Sequence, residues 1–422
     1  MKSFTLCVLL LIALCGCGQG SGDRFEFRDG LTYEKGAAEP YTGARTDYYP
    51  NGDKKSELNI VNGRLHGVSV GWNEKGQRVV EEHYVDGVPQ TRTLTAWYTT
   101  GKKSIEKNYV FKSNYAGMRP DSRPIIKQEG VQTEWHFNGQ KKRQSDFVDD
   151  QLHGVVTGWD EDGRKLTERN YVKGEQDGPE SVWNEDGQKV RETNYVQGKK
   201  DGVTTLWYYN GHKKSERNYV KGWQEGPETE WHENGQKKQE ANFVGNGLHG
   251  VVTVWDEDGW KRTEHNYVKG KQDGVQTSWY ENGQKSFESN FVKGKRDGVQ
   301  TRWYENGRKT EESNFVDNYP HGVWTGWHEN GQKAVQRNYV EGELDGVQTA
   351  WYEDGQKRWE SNFDNGKKHG VQTEWYDNGQ KESEQNYVDG KQHGISASWE
   401  YHGWMTETCY ANDREVDMTN CR

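Results

Sequence analysis

The sequence predicts an all-β chain: an elongated single-layer antiparallel β-meander of about fifteen 24-residue β-hairpin repeats. Three observations predict it. Twelve tryptophans from Trp135 to Trp399 are each 24 residues from the next. An Asn-Gly or Asp-Gly pair recurs at one place in every unit from Asn138-Gly139 to Asn378-Gly379, and that pair is the strongest short-range hairpin signal. Around it apolar and polar residues alternate with period two, as in Val275, Thr277 and Trp279.

Composition agrees with a thin repeat array. Of 422 residues only 30% are hydrophobic, yet 13% are aromatic and 19 are tryptophan. Low hydrophobicity alone would suggest disorder, but disordered chains are poor in aromatics. A stack of repeats needs no central core, because each unit touches only its neighbours. The formal charge of -10 excludes sequence-independent nucleic-acid binding, which requires a basic surface.

The chain opens with MKSFTLCVLLLIALCGCGQG. Lys2 and the short apolar run Leu6 to Leu14 read as an export signal over residues 1–16, too short to span a bilayer. Leu14-Cys15-Gly16-Cys17 resembles a bacterial lipobox. That resemblance implies lipid attachment at Cys17 and a chain anchored in the outer membrane or at the cell surface; an ordinary signal peptide cut nearby is the alternative. Residues 17–22 read as a tether.

Residues 23–42 form a degenerate N-terminal cap with Phe25, Phe27, the turn Asp29-Gly30 and Tyr33. The array occupies 43–404, with Tyr48, Trp72 and Trp97 in its first three units. An insert over 111–129 interrupts it and holds Pro120 and Pro124. Interrupting loops often carry function, so Tyr115, Arg119, Arg123, Ile125 and Ile126 are candidate binding residues; a neutral insertion is the alternative. Residues 405–422 form a C-terminal cap. In an exported chain Cys409 and Cys421 read as a disulfide, with two free thiols as the alternative.

Gly274 to Asp297 typifies the unit: GVQTSWYENGQKSFESNFVKGKRD. A two-residue type I′ turn at Asn282-Gly283 sets Trp279 opposite Ser286, Thr277 opposite Glu288 and Val275 opposite Asn290. A return loop over Lys293 to Gly298 sets Val292 opposite Val299. Both registers place Val275, Thr277, Trp279, Glu288, Asn290 and Val292 on one face. Gln276, Tyr280, Lys285 and Phe291 take the other, with Lys285 opposite Tyr280 and Lys261 within reach of Asp256. A one-residue bulge at Gly283 would instead carry Phe291 to the tryptophan face.

The pattern WYENGQKxxExNYVxGKxDGV resembles the MORN repeat, in particular the bacterial MORN-variant group of YwqK-type antitoxins of toxin–antitoxin systems. Tyr376 to Lys381 and Asn386 to Gly390 carry the likeness most closely, and it covers roughly residues 43–404. It implies either neutralisation of a toxin or a scaffold. No catalytic motif, metal site or cofactor is expected. His153, His249, His321, His369 and His393 all precede the repeat glycine and read as loop chemistry, and the recurring Glu264, Glu288 and Glu312 as a charged ladder. The expected function is a non-enzymatic protein-binding scaffold at the cell envelope with an unknown protein partner. An antitoxin or immunity protein, or a wall- or glycan-binding module with tryptophans stacked on sugars, are the alternatives.

Overall fold

A computed structural model describes residues 24–112, 125–401 and 403–421. The chain is all-β, a meander of antiparallel repeats in which each strand pairs with its neighbours in sequence. It divides into two compact units, residues 1–202 and 203–422. In the first, the cap hairpin Phe25–Arg28 and Leu31–Glu34 stands as its own two-stranded sheet, tied to the first repeat where Thr32 N donates to Gly63 O at 2.9 Å.

The repeat is a hairpin, but its two turns exchange the chemistry expected of them. In the reference unit the strands are Gly274–Trp279 and Lys285–Val292. Gly283 N donates to Tyr280 O at 3.0 Å and Tyr280 N to Gln284 O at 2.9 Å, enclosing Glu281, Asn282 and Gly283 as a three-residue loop. Only its glycine has positive φ, 80°. The Asn-Gly turn is therefore a type I turn closed by a left-handed glycine, not type I′. The type I′ geometry sits at the return turn, where Lys293 (φ 52°) and Gly294 (φ 88°) are both left-handed and Val292 pairs with Lys295. The expected Lys293 to Gly298 loop and the Val292–Val299 pair are thus replaced.

The register away from the turn is nevertheless the expected one: Thr277 pairs with Glu288 and Val275 with Asn290. The three-residue loop moves the pairing by one, so Trp279 pairs with Lys285 rather than Ser286. A bulge immediately after, between Trp279 and Ser278, moves it back. The two departures cancel, and Phe291 stays off the tryptophan face.

A second bulge follows each return turn. Phe291 pairs with Arg296 but Ser289 with Gln300, so the bulge spans Asp297-Gly298. Bulged backbone loses its ladder partners and must find others. Asn290 supplies one: its Nδ2 donates to Asp297 O at 2.7 Å. The equivalent Asn266 donates to Val275 O at 2.7 Å, and its own carbonyl accepts from Asp273 N at 2.9 Å. The repeat glycine belongs to the same device. Gly274 has φ 104°, and a Cβ there would lie 3.3 Å from the Cβ of Asn266.

The residue before that glycine has its own task. Asp273 Oδ2 accepts from Lys293 N at 3.1 Å, capping the return turn of its unit. His66 reaches the equivalent turn through Nδ1, 3.3 Å from Asp86 Oδ1. The backbone N–H groups of His153, His249, His321 and His393 donate to the carbonyl of the residue at the Asn290 site.

Burial is thin and largely polar. On the face opposite the tryptophans, Ser289 is 1% exposed and Gln300, Ser313 and Gln348 are also buried. Small side chains fit at the Ser289 site because aromatic rings such as Phe291 and long residues such as Arg296 flank it. The Gln348 amide turns inward, donating to Gly346 O at 3.2 Å and accepting from Asn338 N at 3.0 Å, so this burial costs no lost partner. At two places where the small residue becomes arginine, the next strand supplies a buried glutamate: Arg169 to Glu180 at 2.6 Å in the first unit and Arg217 to Glu228 at 2.5 Å in the second; Arg337, at the same site, lies over the Trp324 ring instead. The bond to Glu180 pushes the Arg169 guanidinium further up from its ordinary value.

The insert expands one return turn. Val110 pairs with Lys127, as Val292 does with Lys295, so residues 111–126 stand where other units have two residues. Ile125 and Ile126 continue the strand pairing opposite Lys112 and Phe111. At the C-terminus Cys409, buried, and Cys421 are disulfide-bonded with Cα atoms 5.9 Å apart.

Because Lys293 occupies a left-handed position that asparagine tolerates better, Lys293→Asn is expected to stabilise the array by about 0.5–1 kcal/mol. A rise in the urea midpoint at unchanged slope is the measurement; no change would mean the return turn carries no strain.

Candidate functional site: the tryptophan and valine face

Pairing fixes four rows on one face. From the hairpin tip toward the return turn they are Trp279 with Lys285, Thr277 with Glu288, Val275 with Asn290, and Val292 with Lys295. Lys285 is therefore on the tryptophan face, not opposite Tyr280. The bulge after the tip puts it there.

The tip rows form a ladder that runs from unit to unit. Lys285 Nζ bonds Glu288 of its own hairpin and stands 6.0 Å from the ring centroid of Trp303 in the next. Lys261 repeats this, 2.8 Å from Glu264 and 5.2 Å from Trp279. Asp256, the partner expected for Lys261, is taken instead by Arg262 at 2.8 Å. In the first unit Lys165 does the same with Glu168 and Trp183. Each ion pair is partly solvated and weak, and each cation–π contact is worth about 0.5–1 kcal/mol. The recurring glutamates are thereby occupied in pairing with lysine, and tryptophan rings such as those of Trp183, Trp279 and Trp303 carry a lysine over one side.

A second tie crosses the same junction. Tyr280 Oη donates to Trp303 O at 2.6 Å, and Tyr208, Tyr304, Tyr352 and Tyr376 make the same bond one repeat ahead. His136, His232 and His328 replace the phenol with Nε2. Burial pushes the Tyr208 and Tyr352 phenols up from their ordinary value, which keeps them in the donating form. Where Asp160 or Asp256 stands at this site, its carboxylate caps its own turn instead.

The rows near the return turn are different in kind. The valines at the Val275 and Val292 sites are exposed in nearly every repeat. In the second unit fourteen of them, 42–55% exposed, make two parallel apolar stripes. Two exposed aromatics extend the outer stripe at the Lys295 site: Trp223 (59%) pairs with Val220, and Tyr319 (63%) with Val316. Apolar surface repeated in this way is a candidate interaction site. Its signal in the sequence is the valine at both sites of each unit. Reading it requires knowing that these valines are left exposed among the described residues, which alternation alone does not say.

Of the candidate binding residues in the insert, Ile125 and Ile126 are exposed on a strand (41% and 43%). Tyr115, Arg119 and Arg123 lie outside the described residues, as does Cys17. Among the described residues no group of His, Cys, Asp and Glu side chains is arranged to hold a metal ion.

Comparison with known proteins bears on the repeat. No curated protein matches the chain. Solved structures match over most of it at low similarity. The TcdB2-TccC3-TEV crystal structure is 13% identical, with a TM-score of 0.14, over 93% of this chain and 25% of that one. The Photorhabdus luminescens Tc holotoxin pore is 13% identical, with a TM-score of 0.14, over 92% of this chain and 25% of that one. The chain thus spans about a quarter of the length of the solved chains it matches.

A double-mutant cycle on Lys285→Met and Trp303→Leu is expected to return a coupling of about 0.5–1 kcal/mol. A coupling of zero by urea unfolding would remove the ladder as a source of cohesion.

The MORN repeat variant matches residues 41–62, 128–149, 200–221, 224–244, 248–269, 272–293, 296–317, 320–341 and 368–389. The match at 272–293 begins just after one return turn and ends at the next, with the Asn-Gly tip near its centre. At nine places along the chain, then, the 24-residue unit matches the MORN repeat variant.

Proposed function

We propose that this chain is a non-enzymatic scaffold of the cell envelope that binds protein through its valine-striped face. The observation carrying this is the pair of exposed valine stripes with Trp223 and Tyr319 in line. Aromatic anchors within an apolar strip are the usual centres of protein–protein binding energy. The repeated glutamates support a structural role for the carboxylates, since each bonds the lysine of its own hairpin. The lysine over tryptophans such as Trp231, Trp279 and Trp303 weighs against stacking on sugar rings. An antitoxin reading uses the same surface, with a toxin as the bound protein.

The anchor rests on the sequence: Cys17, acylated, would hold the chain at the outer membrane or cell surface by several acyl chains, enough for stable attachment. Radioactive palmitate is expected to label the chain and to miss Cys17→Ser; an unlabelled wild type would remove the anchor from the proposal.

The docking face is tested by capture from envelope extract. The wild-type chain is expected to retain a protein partner, and Val275→Asp/Val299→Asp/Val323→Asp to lose it, while Tyr209→Ser at an exposed tip keeps it. Equal capture by all three, or retention of peptidoglycan without protein, would overturn the reading.

A further inference from the structure

The stripes have a property that narrows the kind of protein they fit. They are periodic, and we propose that their occupant is a second copy of this chain, docked face to face about a two-fold axis. The proposal rests on the protein-binding reading of the valine face and names the partner.

Spacing supports it first. Val275, Val299, Val323 and Val347 recur once per hairpin, or roughly every 9.6 Å at ordinary strand spacing. A partner can meet every valine in the same way only if its own surface has that pitch. A second copy has it, and two sheets of equal twist pack face to face in an aligned stack.

Area supports it next. At on the order of 50 Å² of exposed apolar surface per valine, the fourteen valines of the second unit offer roughly 700 Å². A standard interface buries about 800 Å² on each partner. Trp223 and Tyr319 add to the same strip.

Charge opposes it at one point of the strip. The chain carries -10 overall, which would keep two copies apart at many surfaces. On this face each lysine of the tip row is matched by a glutamate of the next row in the Lys213, Lys261, Lys285 and Lys309 hairpins. The strip beside them is valine and asparagine, with lysine at the Lys271 and Lys295 sites of its outer row. Lys295 is held by Asp317 at 3.0 Å, so the like charges that meet across a two-fold axis at Lys271 are the two Lys271 side chains, which the valine contacts must offset.

The two aromatic anchors supply the register. Trp223 and Tyr319 occupy equivalent sites four repeats apart, and Lys271 is the equivalent residue midway between them. In an isologous contact, residue i of one copy meets residue j of the other and the reverse. A two-fold axis at Lys271 sets Trp223 of each copy against Tyr319 of its mate, so both anchors are buried at once.

Sedimentation velocity of the purified full chain in mild detergent, where an acyl anchor does not drive association, is the test. A dimer with a dissociation constant of about 1 μM or tighter is expected. Val275→Asp/Val299→Asp/Val323→Asp should be monomeric with an unchanged circular dichroism spectrum. The milder triple Val→Thr at the same positions should weaken the dimer at least about tenfold. Oxidising a mixture of Trp223→Cys and Tyr319→Cys chains should cross-link the unlike pair well above either chain alone. A wild type that stays monomeric at about 100 μM overturns the proposal, as does a dimer indifferent to the valine variants or one lacking the unlike cross-link. A monomer that still captures another protein through the valines overturns only the second copy and leaves the docking face standing.

Discussion

A strand in this meander has to satisfy its backbone from its neighbours in sequence. Each device in the repeat is accordingly a way of closing hydrogen bonds within the ladder or one unit along it. The bulge after the return turn is the sharpest case. It frees carbonyls that an asparagine amide then takes, as Asn290 does for Asp297 and Asn266 for Val275. The repeat glycine, the acidic or histidine residue before it and the asparagine are three parts of one solution to that problem.

Cohesion between units follows the same rule. A phenol or imidazole reaches the tryptophan carbonyl ahead, and a lysine reaches the tryptophan ring ahead while holding a glutamate of its own hairpin. None of these contacts is strong alone. In a quasi-one-dimensional array, stability is the sum of unit terms and nearest-neighbour terms, so a small term present at almost every junction counts many times. The buried positions are polar for a related reason. With aromatics and long side chains closing over them, Ser289 and Gln348 need only be small or fully bonded, not apolar.

Much of the fold was legible in the sequence because period and pairing are local signals. Thr277 against Glu288 and Val275 against Asn290 came out as read, although the turn behind that reading was the wrong type; the three-residue loop and the following bulge cancel. The lysine was misplaced because the bulge between them acts on that one residue. Asn-Gly pointed to type I′ geometry, yet that geometry is found at Lys293-Gly294, where residue preference is weak and the strand ends impose the turn. The valine stripes were visible as letters and invisible as a surface. Alternation tells which side chains share a face, and only the folded sheet tells whether that face is left open. Of the insert residues singled out, the two isoleucines proved to be strand, since the paired backbone of the array runs into the insert from both flanks.

Residues 111–126 replace a two-residue turn without shifting the frame on either side: Val110 still meets Lys127, and the strand Gly130–Trp135 pairs with the one after it as elsewhere. The array thus carries passenger chain at a junction where no ladder bond is spent. Every other return turn offers the same backbone geometry, which makes the repeat a natural rack for displaying loops at a fixed pitch, each one separately exchangeable.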